Sequence, residues 1–162
     1  MKSRFRYWAY FLAFLALWFS VILIMELTGN ILNPTMPIGF FLVFTLFFIY
    51  VWIWLVFGEL STKIIYIDFA YSSFTIKRFF GLSASKSYYF DTFDGYKTSI
   101  LSSQSGSYEY LYLMIGNKKI IKLSEFYHSN YKELKQFVIN QNIKYLGFES
   151  YSFIKEFKEI FI

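Results

Sequence analysis

The chain contains no cysteine, a single histidine and only two prolines, and just 17% of its residues are charged. Without cysteine there are no disulfides, no thiolate zinc sites and no cysteine nucleophiles. A serine triad would need the lone histidine, His128 in "FYHSNY", beside an acid and a nucleophile in a cleft; it sits just before a helix cap, where a polar residue is common anyway. The acids Asp68, Asp91, Asp94, Glu109 and Glu125 are scattered, with no spacing suited to a carboxylate pair or a metal. "SSQSGS" (102–107) holds a glycine but lacks the lysine and the strand-loop-helix setting of a phosphate loop. These absences argue against catalysis, a bound metal and any cofactor. The net charge of +5 is modest and unclustered, which argues against a nucleic-acid partner.

What the chain has in excess is apolar and aromatic residues, 56% and 25% of its 162 positions, concentrated in the first third. "YWAYFLAFLALWFSVILIM" (7–25) and "IGFFLVFTLFFIYVWIWLVF" (38–57) carry no charge. About 20 helical residues cross the roughly 30 Å hydrocarbon core of a bilayer. Both runs are apolar on every side, which a soluble amphipathic helix is not. A cleaved signal peptide is the rival reading for the first run, with Lys2, Arg4 and Arg6 as its basic flank. The apolar stretch exceeds the usual h-region of about 7–15 residues, and no A-x-A site follows it. The sequence therefore predicts two transmembrane helices, over about 7–27 and 38–57, within a hairpin spanning 1–60.

Lys2, Arg4 and Arg6 precede the first run, the connection "ELTGNILNPTMP" (26–37) has no Lys or Arg, and Lys63, Lys77 and Arg78 follow the second. The positive-inside rule then predicts a multi-pass protein of the cytoplasmic membrane, with both termini in the cytoplasm and the connection outside. Gly29, Asn30, Asn33, Pro34 and Pro37 suit a tight outer turn. Glu26 reads as an interfacial carboxylate at the helix end; an ion or proton site would need it deeper in the bilayer. Trp8, Tyr50 and Trp54 are candidates for the interfacial aromatic belts, whereas Trp18 and Trp52 fall too deep.

After residue 60 the pattern changes to short runs rich in β-branched and aromatic residues, over 62–69, 73–81, 86–101, 108–115 and 118–126. Asp94-Gly95 reads as a bend or bulge within 86–101. Gly116-Asn117 is a two-residue hairpin turn and the strongest local signal in this half. A helix over 130–142 follows, with Asn130 and Glu133 spaced as a capping box and Tyr131, Leu134, Phe137 and Val138 as its apolar stripe. The tail, 147–162, ends in "SFIKEFKEIFI", an amphipathic helix for either the domain or the bilayer surface.

The segment "YLYLMIGNKKIIKLSEF" followed by "NYKELKQFV" resembles the end of a bacterial pleckstrin-homology-like (PH-like) domain, where the last hairpin leads into one C-terminal helix. Two membrane helices before such a domain are similar to small bacterial membrane proteins of that organisation. The resemblance covers roughly 60–145, and the domain is taken as 61–146. It implies a small α+β unit, an antiparallel open β-barrel or sheet capped by a helix. A full fold of this kind has seven strands, a number approached if 86–101 breaks in two at Asp94-Gly95.

Phosphoinositide-binding members use a lysine and then a K/R-x-R pair. The nearest residues here are Lys63 with Lys77 and Arg78, but the last two are adjacent and point to opposite faces of a strand. They are candidates for contact with anionic lipid only through proximity to the membrane. The expected function is a non-enzymatic interaction or scaffold module held at the cytoplasmic face, with a protein partner. The alternative is an immunity or accessory protein whose hairpin meets a membrane-acting toxin or a transporter.

Overall fold

The computed structural model describes residues 1–28, 37–71, 73–103 and 106–152. Helix α1 runs Tyr7–Leu27 and helix α2 runs Ile38–Ile53, continuing without a break as a π-helical stretch over Trp54–Leu60. Both are long and apolar enough to cross a membrane. Their outward faces are bare: Leu17, Ile38 and Leu46 are each about two-thirds or more exposed. The helices meet through small side chains. Ala9 and Ala16 are buried and Ala13 is partly buried, which lets the backbones approach as in lipid, where close packing replaces hydrophobic burial. Polar contacts also join the pair. Trp52 Nε1 donates to Ser20 Oγ at 2.7 Å, so this deep tryptophan is spent inside the hairpin. Thr45 Oγ1 donates to Glu26 Oε1 at 2.5 Å. Glu26, at the end of α1, is buried because the facing helix offers it a hydroxyl.

Beyond the hairpin lie two sheets and a helix. Strands β1 (Ile65–Phe69), β2 (Ser73–Arg78) and β3 (Lys86–Tyr89) form an antiparallel sheet in that order. Strands β4 (Gly95–Ser103), β5 (Gly106–Ile115), β6 (Lys118–Ser124) and β7 (Tyr145–Phe148) form the second, in the order β6-β5-β4-β7. The run 86–101 breaks at Phe90–Asp94, which is where the chain passes from one sheet to the other. Among the described residues the result is two sheets and no closed barrel. The β5–β6 turn is Gly116-Asn117, with Gly116 at φ 58°, as a primed two-residue turn requires.

Helix α3 (Tyr131–Asn140) buries Tyr131, Leu134 and Val138 in the core between the sheets, with Ile67, Phe69, Phe74, Leu111, Leu113 and Leu123. Its expected cap is absent, since Asn130 makes no side-chain bond to the helix. β7 straddles residue 146, where the sequence reading ended the domain, and pairs parallel to β4. Gly95 permits this approach: a Cβ there would lie 2.4 Å from Leu146 Cγ and 2.5 Å from the Lys144 carbonyl oxygen. Most of the expected C-terminal amphipathic helix, from 153 on, lies outside the described residues, as does most of the outer turn, 29–36.

Candidate functional site at the joint

The hairpin enters the sheets at two places. The first is the chain ahead of α1. Ser3 N–H donates to Ile67 O at 2.8 Å, and Ile67 N–H donates to Ser3 Oγ at 2.9 Å. Phe69 N–H donates to Met1 O at 2.7 Å. On its other side, Arg6 N–H donates to Tyr127 O and Ser129 N–H to Arg4 O, both at 2.9 Å. Residues 1–6 thus fill the gap between β1 and the chain that follows β6. Asn130 is recruited here instead of to the helix: its Oδ1 accepts from Arg4 N–H and its Nδ2 donates to Lys2 O, both at 2.9 Å.

The second entry is the π-helical end of α2. Its wider turn, closed by Ser61 N–H donating to Val56 O, re-aims the side chains that follow. Glu59 is buried, and its carboxylate is shared. Lys63 Nζ donates to Oε1 at 2.7 Å, and Tyr127 OH donates to Oε2 at 2.5 Å. Glu59, Lys63 and Tyr127 are all under 8% exposed. Desolvation pulls the Lys63 ammonium down, but Glu59, Tyr110 and Tyr151 together outweigh it and hold the group above its usual range. Burial, and then the Glu59 carboxylate, push the Tyr127 phenol up, so it stays a donor. Burial likewise raises Tyr110, with Lys63 opposing, and Tyr110 stacks on Tyr151 at 5.9 Å. Lys122 lies 5.3 Å over the Tyr110 ring. A carboxylate, two cations and three phenols therefore meet between hairpin and sheet, a network that fixes orientation.

His128 stands beside it and is fully buried. Its Nε2 lies 3.0 Å from Ile65 O and its Nδ1 3.4 Å from Ser124 N, while Phe5 packs on the ring at 5.4 Å. Burial lowers its pKa, and the neutral ring ties β1 to the end of β6.

Of the cations expected at the lipid surface, Lys63 is withdrawn, because it is buried on Glu59. Lys77 is half-buried on β2 and Arg78 is exposed at its end. The structure does not gather the three. Of the flanking cations, Lys2 and Arg4 point outward and Arg6 is half-buried, while their backbones make the strand-like contacts above. Among the described residues no group of three His, Asp or Glu side chains could hold a metal ion. Sequence reasoning missed Glu59 and Tyr127. The signal for Glu59 was its spacing of four from Lys63, a helical pairing distance.

The first sheet also orients the molecule. β1 leaves the joint at Ile65, and its turn to β2, at Tyr71, lies at the far end. There an open groove is lined by Tyr71, Tyr89, Asp91, Asp94, Asn142 and Lys144, among others. The fold and the joint define a class, two candidate membrane-spanning helices followed by a small two-sheet domain. The chain matches no family model, no curated protein and no solved structure.

Proposed function

We propose that the protein is a non-enzymatic interaction module that holds a PH-like sheet domain in one orientation at the cytoplasmic membrane surface, where it meets a protein partner. The observation that carries this reading is the double attachment. Residues 1–6 and the Glu59–Lys63–Tyr127 cluster both bind the sheets to the hairpin. A tether serving only to localise a domain requires neither. The aromatic and acidic groove at Tyr71, Tyr89, Asp91 and Asp94 then faces away from the bilayer and is the surface offered to the partner. The adjoining edge strand β3 is open to strand addition. The PH-like reading rests on the order of hairpins and helix; a parallel β7 after the helix departs from that pattern.

A second reading makes the hairpin the working part, as in an immunity or accessory protein. Its support is Glu26, buried at the outer end of α1, whose Oε2 has no hydrogen-bond partner. A photo-crosslinking residue placed at Tyr89, or at lipid-facing Phe47, of the full chain in its own membrane separates the two. The first reading expects a discrete protein adduct from position 89. Adducts from position 47 alone would overturn it in favour of the second.

A further inference from the structure

The turn between β2 and β3 is the joint end of the first sheet, opposite Tyr71. Arg78 N–H donates to Ser83 Oγ at 2.6 Å and Ser83 N–H donates to Arg78 O at 3.2 Å, so the chain between them is a closed tip, "FFGL". Its backbone is strained. Phe79 and Phe80 have φ of 51° and 57°, and Gly81 follows at 97°. Two consecutive aromatic residues in the left-handed region are held there only by surroundings that over-determine them. Those surroundings are the start of α1. The Phe80 ring stacks on Tyr10 at 5.0 Å and meets Phe5 at 5.1 Å. Tyr10 is three residues into α1, about 4.5 Å along its axis. The tip is therefore at the depth where the first helix becomes apolar.

From that position Leu82 projects with 88% of its surface exposed, next to a helix whose Tyr7, Tyr10 and Phe11 are also bare. Through Phe80 on Tyr10 the tip packs directly against the exposed apolar start of the hairpin. Lys77, Arg78 and Lys86 flank it, and no acidic residue lies between 77 and 90. An apolar tip ringed by cations at the edge of a membrane helix matches a bilayer with anionic phosphates above its hydrocarbon.

We infer that the Phe79–Leu82 turn is a third membrane contact, inserting Leu82 into the interfacial layer of an anionic leaflet while Arg78 and Lys86 reach the phosphates. This rests on the hairpin spanning the bilayer, and the test separates the two. Because the chain has no native cysteine, Leu82→Cys, Tyr71→Cys and Phe47→Cys each give one labelling site. The full chain, labelled with a polarity-sensitive fluorophore, is reconstituted in vesicles of phosphatidylcholine and phosphatidylglycerol mixed equally. The expected result is blue-shifted emission at position 82, quenched by lipid carrying a shallow doxyl group, with position 71 aqueous and position 47 quenched by a deep one. Position 82 as aqueous as position 71, with position 47 still in lipid, overturns the inference alone. Position 47 in water overturns the spanning hairpin, and this inference falls with it.

Discussion

Glu59 and Lys63 have each left water for the joint, and each is tolerable there only because of the other. Removing one partner from a buried pair strands an uncompensated charge, at a cost of about 3–5 kcal/mol, whereas replacing both with apolar or neutral groups of similar size is often nearly neutral. Glu59→Gln and Lys63→Met are therefore expected to destabilise the detergent-solubilised protein severely as single variants and only mildly as the double. Denaturant unfolding of the four forms checks this, and strictly additive losses would show that the pair is not coupled. His128 makes a pH-dependent contribution of the opposite kind. Burial depresses its folded pKa below the unfolded value of 6.5. Its stabilisation is therefore complete above pH 6.5 and is lost as the pH falls toward the folded pKa, by about 1.4 kcal/mol per unit. Thermal unfolding of wild type should weaken on mild acidification. His128→Gln should start lower and lose that part of the slope; an unchanged slope would remove His128 as its source.

At the scale of elements, the parts legible in the sequence are those encoded by neighbours in the chain. The hairpin follows from two uncharged runs, the β5–β6 turn from Gly116-Asn117, and α3 from the stripe at Tyr131, Leu134 and Val138. The parts that stayed hidden depend on distant partners. β7 is four residues long and exists only because Gly95 lets it lie against β4. The cap of α3 was misread because Asn130 is claimed by Lys2 and Arg4, more than a hundred positions away. Residues 1–6 read as a basic flank, yet Ser3 is buried and Phe5 partly buried while Lys2 and Arg4 are exposed, the alternation of a strand too short to declare itself. Glu59 fell just past the end of the uncharged run, outside the expected helix, and nothing local announces that Tyr127 will meet it. The edge pairing can be tested alone. Ser3→Pro removes both the N–H that Ile67 O accepts and the hydroxyl that Ile67 N–H uses. With each such bond contributing about 1 kcal/mol, hydrogen exchange should quicken at Ile67 and Phe69. The β5–β6 amides should keep their protection. Equal protection at Ile67 in both proteins would mean that the terminal segment does not cover β1.

At the scale of the whole molecule, the two attachments constrain how the chain can lie across a bilayer. The segment before α1 and the sheets after α2 are hydrogen-bonded to each other, so they must occupy the same side. A chain that crosses a bilayer between them must then do so an even number of times, which the two candidate spans supply. We propose the cytoplasmic side for both, on the Lys and Arg distribution: translocating Lys2, Arg4 and Arg6 is disfavoured, while the 26–37 connection carries no cation to oppose its passage. Three single cysteines separate the geometric claim from the electrostatic one. Lys2→Cys and Tyr71→Cys, both exposed positions, should react with a membrane-impermeant maleimide only after permeabilisation. Leu27→Cys, 74% exposed at the other end of α1, should react on intact cells. Positions 2 and 71 reacting from opposite sides would contradict the joint itself, since no hydrogen bond from Ser3 to Ile67 can cross a bilayer. Both reacting on intact cells, with position 27 protected, would leave the joint standing and invert the orientation. The distal groove would then face the exterior, and the partner would have to be sought there.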